Sequence, residues 1–194
     1  MPDVIILWDT PLFFEKMFQE YGISSIVSSP AAFNSPHLPP AKLLIVPSGF
    51  TFPEHSSVSH ILENQQVQRR LFDFVEKGGI FLMFSPLQEI CTCGLNNALA
   101  VFSFNRFGIE AEYVQTDVMI QRKSLLTGEQ DSIYCDGYFQ NIGTDFEIVE
   151  IDGNGHPIHL SMKRGDGRII LSTIHEFLSK SYFYSLLDGA KIKF

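Results

Sequence analysis

Three unbroken apolar runs punctuate the first half of the chain, and each is stopped by a turn-forming or polar residue. They are Val4-Ile-Ile-Leu-Trp8 ending at Asp9, Lys42 to Val46 broken by Pro47-Ser48-Gly49, and Gly79-Ile-Phe-Leu-Met-Phe84 ending at Ser85. Runs this short, with no polar residue at alternate positions, have no solvent face and read as strands covered on both sides. Between them, Phe13, Phe14, Met17, Phe18 and Tyr21 recur at helical spacing before Gly22. Leu71, Phe72, Phe74 and Val75 likewise make the apolar face of a helix ending near Lys77-Gly78-Gly79. Strand-helix steps of this kind supply the crossovers that parallel strands require, so the pattern predicts a parallel α/β sheet with helices over its faces.

Weaker signals fill the gaps. Ile23 to Ser28 suits a strand, Pro30 to Pro40 a proline-rich connection, and Glu54 to Gln68 a polar lead-in to the second helix. The pattern then changes. Asn96 to Phe107 reads as a helix stopped by Gly108, with short strands at Glu110 to Val114 and Val118 to Gln121. Phe146 to Ile151 and His156 to Met162 flank Asp152-Gly-Asn-Gly155, a turn signal that predicts a hairpin. Arg168 to Ile174 follows as a further strand and Ser181 to Leu187 as a closing helix. No linker interrupts this order, so residues 1–194 are expected to form a single domain.

Composition removes several function classes. Lys and Arg total 14 against 22 Asp and Glu, a formal net charge of -8, which is the wrong balance for tracking nucleic-acid phosphates. No apolar stretch approaches membrane-spanning length. The start of the chain carries neither a basic flank nor a signal-cleavage pattern, and an odd count of 3 cysteines argues against a full disulfide framework. A reducing, cytoplasmic setting is therefore expected. Gly-x-Gly-x-x-Gly, the Walker phosphate loop and His-Glu-x-x-His are all absent, so no cofactor and no metal site is implied. The 18 phenylalanines are expected chiefly to pack helices on strands, with any excess serving an interface.

Ligands in open α/β sheets bind beyond the carboxyl ends of the strands, which directs attention to Asp9, Ser48-Gly49, Ser85 and His175-Glu176. In order and spacing these features resemble the class I glutamine amidotransferase-like superfamily. Pro47-Ser48-Gly49 is similar to the family turn whose amides help form an oxyanion hole. Phe74 to Phe84 is similar to the helix, turn and strand leading into its nucleophile elbow, and Gly167 to His175 to the strand carrying its catalytic histidine. Tyr134-Cys-Asp-Gly137 resembles the segment before the last hairpin in some members. The resemblance implies a flavodoxin-like three-layer sandwich with a mostly parallel central sheet and a late antiparallel hairpin.

The chain departs from that family at the elbow. Where the family sets a cysteine between glycines, this sequence reads Phe84-Ser85-Pro86-Leu87, and Pro86 removes an amide donor. The family glutamate lies two residues after the histidine, whereas here Glu176 adjoins His175. The expectation is a glutamine amidotransferase-like protein without standard glutaminase chemistry, a pseudoenzyme. Its strand-end crevice would bind a small polar ligand or a protein partner through Ser48, Gly49 and Asp9. A competing reading is an amidase or hydrolase in which Ser85, Cys91 or Cys93 attacks an acyl carbon with His175 as base and Glu176 nearby. Cys91-Thr-Cys93 falls short of the usual zinc spacing, even with Cys135 added. A third reading is a structural or assembly component that forms a homo-oligomer through the Phe-rich helices.

Overall fold

The computed structural model describes residues 1–10, 13–87, 101–120, 123–130, 132–175 and 178–194. The three apolar runs form β1 (Val4–Leu7), β3 (Leu43–Val46) and β4 (Ile80–Phe84), buried at every position. β2 (Ser25–Ser28) pairs with β1, and β10 (Gly167–Ser172) pairs with β4, all in parallel. β9 (Pro157–Arg164) and β8 (Phe146–Ile151) extend that sheet antiparallel, giving seven strands in the order β2-β1-β3-β4-β10-β9-β8. The hairpin between β8 and β9 turns on Asp152, whose Oδ1 accepts the amides of Asn154 and His156, each at 2.8 Å. A second, three-stranded sheet pairs β5 (Val101–Ser103), β6 (Glu112–Ile120) and β7 (Ile133–Gln140) antiparallel. The result is a mixed α/β fold, and no described helix is long and apolar enough to cross a membrane.

Helices form where the apolar spacing and caps agree. α1 (Phe13–Tyr21) buries Phe14, Met17 and Phe18 along one face. The proline-rich connection contains a short α2 (Pro30–Phe33), because Ser29 caps it and Pro30 occupies its first position. The polar lead-in is itself largely helical. A 3₁₀ turn at Pro53–His55 feeds α3 (Ser56–Glu63), and Asn64 then caps α4 (Gln65–Glu76) by accepting the Gln66 and Val67 amides. α5 (Lys180–Leu186) starts at Ser179, whose hydroxyl accepts the Tyr182 amide.

The expected helix over 96–107 is corrected: residues 101–103 are the strand β5 and 104–107 a 3₁₀ turn, while 96–100 lie outside the described residues. Gly108 still stops the turn, but Val101, Phe102 and Ser103 find backbone partners on β6 instead of in a helix. The two short strands expected after Gly108 are one, β6, interrupted by a register shift between Gln115 and Val118. Phenylalanine fastens this sheet to the rest. Phe50, after β3, packs against Phe102 and Phe107, and Phe104 against Phe102 and Phe139, with ring centroids 5.2–6.2 Å apart. In the first half Phe14, Phe18, Phe74, Phe81 and Phe84 are buried, whereas Phe13 is 45% exposed. Phe72 is half-buried beneath the Arg164 guanidinium.

Candidate functional site

β1, β3, β4 and β10 run parallel, and their registers, continued past the last paired residues, bring Asp9, Ser48, Ser85 and Thr173 level with one another. This polar row crosses the carboxyl end of the sheet, with Ser48, Ser85 and Thr173 buried and Asp9 exposed. β7 approaches it through a single antiparallel bridge between Cys135 and Ile174. That bridge sets Tyr134 opposite His175 and Asp136 opposite Thr173. The Asp136 amide donates to the Thr173 carbonyl at 2.9 Å, and the His175 amide to the Tyr134 carbonyl at 3.4 Å.

Asp136 is the centre of the arrangement. Its Oδ2 accepts the Ser85 hydroxyl at 2.7 Å and lies 3.1 Å from His175 Nδ1. Tyr113 donates its hydroxyl to the Asp136 backbone carbonyl at 2.6 Å, and burial raises the Tyr113 pKa well above the usual range, so it stays a donor. Ser85 is fully buried, whereas the His175 side chain is 41% exposed. The order of contacts matters chemically. A serine nucleophile hands its proton to histidine while the carboxylate stands behind the ring. Here the carboxylate stands between them and takes the serine hydrogen bond itself.

Gly49 has φ +80, and a Cβ there would meet the Phe52 ring at 3.0 Å, which explains the glycine. Its amide, one of the expected oxyanion donors, donates to the Ser85 carbonyl at 3.0 Å. Left-handed backbone also occurs two residues beyond Ser85, at Leu87 with φ 45, where Thr51 Oγ1 lies 2.9 Å from the Pro86 carbonyl oxygen. Ser48 Oγ and Trp8 Nε1 are buried at this end of the sheet without hydrogen-bond partners among the described residues. Asp9 faces His55 Nδ1 and the Ser57 hydroxyl, each at 3.0 Å, and the His55 ring packs at a tilt against Trp8 with centroids 4.2 Å apart. Those contacts tie the end of β1 to the start of α3.

Cys91, Cys93 and Glu176 lie outside the described residues. Cys135 is buried, and desolvation, reinforced by the charge of Asp136, pushes its thiol up to about 12, so it remains protonated. Among the described residues no group of three His, Cys, Asp or Glu side chains is placed to hold a metal ion. The structure therefore joins Ser85 and His175 through one carboxylate, with Ser48 and Gly49 alongside and Asp9 at the far end of the row. Asp136 is the residue that sequence reasoning missed as a site member. The available signal was alternation: Ile133, Cys135 and Phe139 are buried, while Tyr134, Asp136 and Tyr138 face the other way.

No family model matches the chain, and no curated protein matches it in sequence. Solved structures do match in fold. An exo-beta-1,4-mannosidase from an Opitutaceae bacterium is 14% identical, with a TM-score of 0.55 over 95% of this chain and 32% of its own. A putative GMP synthase component from Thermoplasma acidophilum is 12% identical, with a TM-score of 0.51 over 96% of this chain and 93% of its own. A cytoplasmic protein from Salmonella typhimurium is 12% identical, with a TM-score of 0.55 and 100% coverage of both chains. The chain spans about a third of the length of the mannosidase and of a similar β-galactosidase from Rahnella, at 32% and 31%.

Proposed function

We propose that this chain is a glutamine amidotransferase-like domain of flavodoxin-like layout that binds a small polar ligand at the strand-end crevice without glutaminase chemistry. The carrying observation is the position of Asp136 between Ser85 and His175. A carboxylate there removes the serine proton from the path to histidine and fixes the imidazole from Nδ1. His175 is held as a binding group at the crevice mouth. The engaged Gly49 amide supports the same reading, since a donor already spent on the Ser85 carbonyl does not await an oxyanion. The fold-level likeness to the putative Thermoplasma GMP synthase component supports the family.

L-Glutamine is the probe that tests this reading. The expected result is a saturable change in the His175 side-chain NMR signals with no ammonia released, and loss of that change in Asp136→Ala. Ammonia release by the wild type that disappears in His175→Ala would establish the amidase reading instead. A second reading, an accessory module of a larger assembly, is favoured by one observation. The chain matches only about a third of the mannosidase and β-galactosidase chains. Sedimentation of the purified chain distinguishes it: a stable oligomer supports assembly, and a monomer at all concentrations opposes it.

A further inference from the structure

Far from the strand-end crevice, a cavity of about 290 Å³ opens between α5 and the sheet. Ile80, Val149, Ile170, Leu186 and Tyr182 wall it, and Arg168 stands in its lining. The register sets Lys163 directly opposite Arg168 on the neighbouring strand, so both side chains leave the same face of the sheet. Both residues are exposed. Like charges placed directly across an antiparallel pair repel one another, an arrangement that costs stability unless something negative lies between them.

This protein has acid to spare, with 22 acidic residues against 14 basic, yet that acid is not used here. Arg106, Lys123, Arg164 and Lys191 pair with Glu63, Glu129, Glu76 and Asp3. Arg168 and Lys163 pair with no carboxylate among the described residues. The nearest polar contact of Arg168 is the Ser161 hydroxyl at 3.5 Å, long for a hydrogen bond. Glu147 lies opposite Ser161 on the same face, so it opposes an anion there without neutralising either cation.

We propose that this cavity binds a small organic anion with an apolar body, its carboxylate held by Arg168 and Lys163 and its hydrocarbon seated against Ile80, Val149, Ile170 and Leu186. Apolar walls favour the body and two cations without carboxylate partners favour the head, a division typical of small-ligand sites. The planar guanidinium of Arg168 matches a carboxylate bidentately, while Lys163 contributes a point charge.

Octanoate is the probe, followed through the methyl NMR signals of Ile80, Val149, Ile170 and Leu186 in the full chain. These signals should shift to saturation. Arg168→Met should weaken binding at least about tenfold, as expected for a lost charge-assisted hydrogen bond. Lys163→Met should weaken it less, and Glu147→Gln should strengthen it. All three positions are exposed, so the variants should fold. Binding of 1-octanol as tightly as octanoate would overturn the proposal, as would unchanged affinity in Arg168→Met. So would a response to inorganic phosphate alone, or methyl signals that octanoate does not move.

Discussion

A single carboxylate serving two donors sets what each substitution at the site should do. Both contacts fall on the single atom Oδ2, so Asp136→Ala strips the buried Ser85 hydroxyl and the His175 imidazole of that acceptor at once. A loss of about 1–3 kcal/mol in urea unfolding is expected. Ser85→Ala removes one donor and leaves the carboxylate to His175, so it should cost less than Asp136→Ala. Another histidine gives a pH dependence whose sign is fixed by burial. His159 is fully buried, its Nε2 lies 2.6 Å from the Tyr182 hydroxyl, and desolvation pushes its pKa down to about 3. An unfolded histidine titrates near 6.5, so below that pH the unfolded chain takes up a proton the folded chain refuses. Stability should therefore fall as pH drops from about 6.5 toward 3, by up to ~1.4 kcal/mol per pH unit from this residue. His159→Gln should flatten that slope in urea titrations across pH; an unchanged slope would assign it to other groups. At this scale the sequence was least informative. Ser85 and His175 were readable because each ends an apolar strand. Asp136 was not, because its partners lie 51 and 39 residues away and meet it where the Cys135–Ile174 bridge sets β7 against the chain beyond β10.

Among the elements, the buried parallel strands were legible because nothing else satisfies a short apolar run closed by a turn. β1, β3 and β4 occupy the runs that predicted them. The three-stranded sheet was obscured for a physical reason. Its long strand β6 carries an irregularity between Gln115 and Val118 that breaks the alternation of period two, so one strand reads as two. β5 is only three residues long and its Phe-rich surroundings fit a helical face equally well. What holds β6 and β7 together can be tested at Gly137. A Cβ at this position would lie 2.0 Å from the Val114 carbonyl oxygen, so the strands approach more closely than any side chain allows. Gly137→Ala should destabilise the fold by roughly 1–3 kcal/mol, the range for overpacking, and should lower hydrogen-exchange protection first in β6 and β7. Uniform loss across all ten described strands would show that the close approach is not local.

For the whole molecule, the aromatic group around Phe50, Phe102, Phe104 and Phe107 makes the two sheets depend on one another. We propose that residues 1–194 unfold as one domain for this reason. Fluorescence and circular dichroism should report a single coincident transition, and Phe104→Ala should lower its stability by about 3–5 kcal/mol without splitting it. Two separated transitions would mean that the three-stranded sheet is its own unit. At the point where the sheets meet the Ser85 hydroxyl donates to Asp136, and we propose that this commitment keeps it from acting as a nucleophile. The most direct measurement is treatment of the native chain with a fluorophosphonate, followed by peptide mass spectrometry of Ser85. The account predicts no adduct at Ser85. An adduct there in the wild type, lost in His175→Ala, would contradict it and place Ser85 and His175 in a working hydrolase.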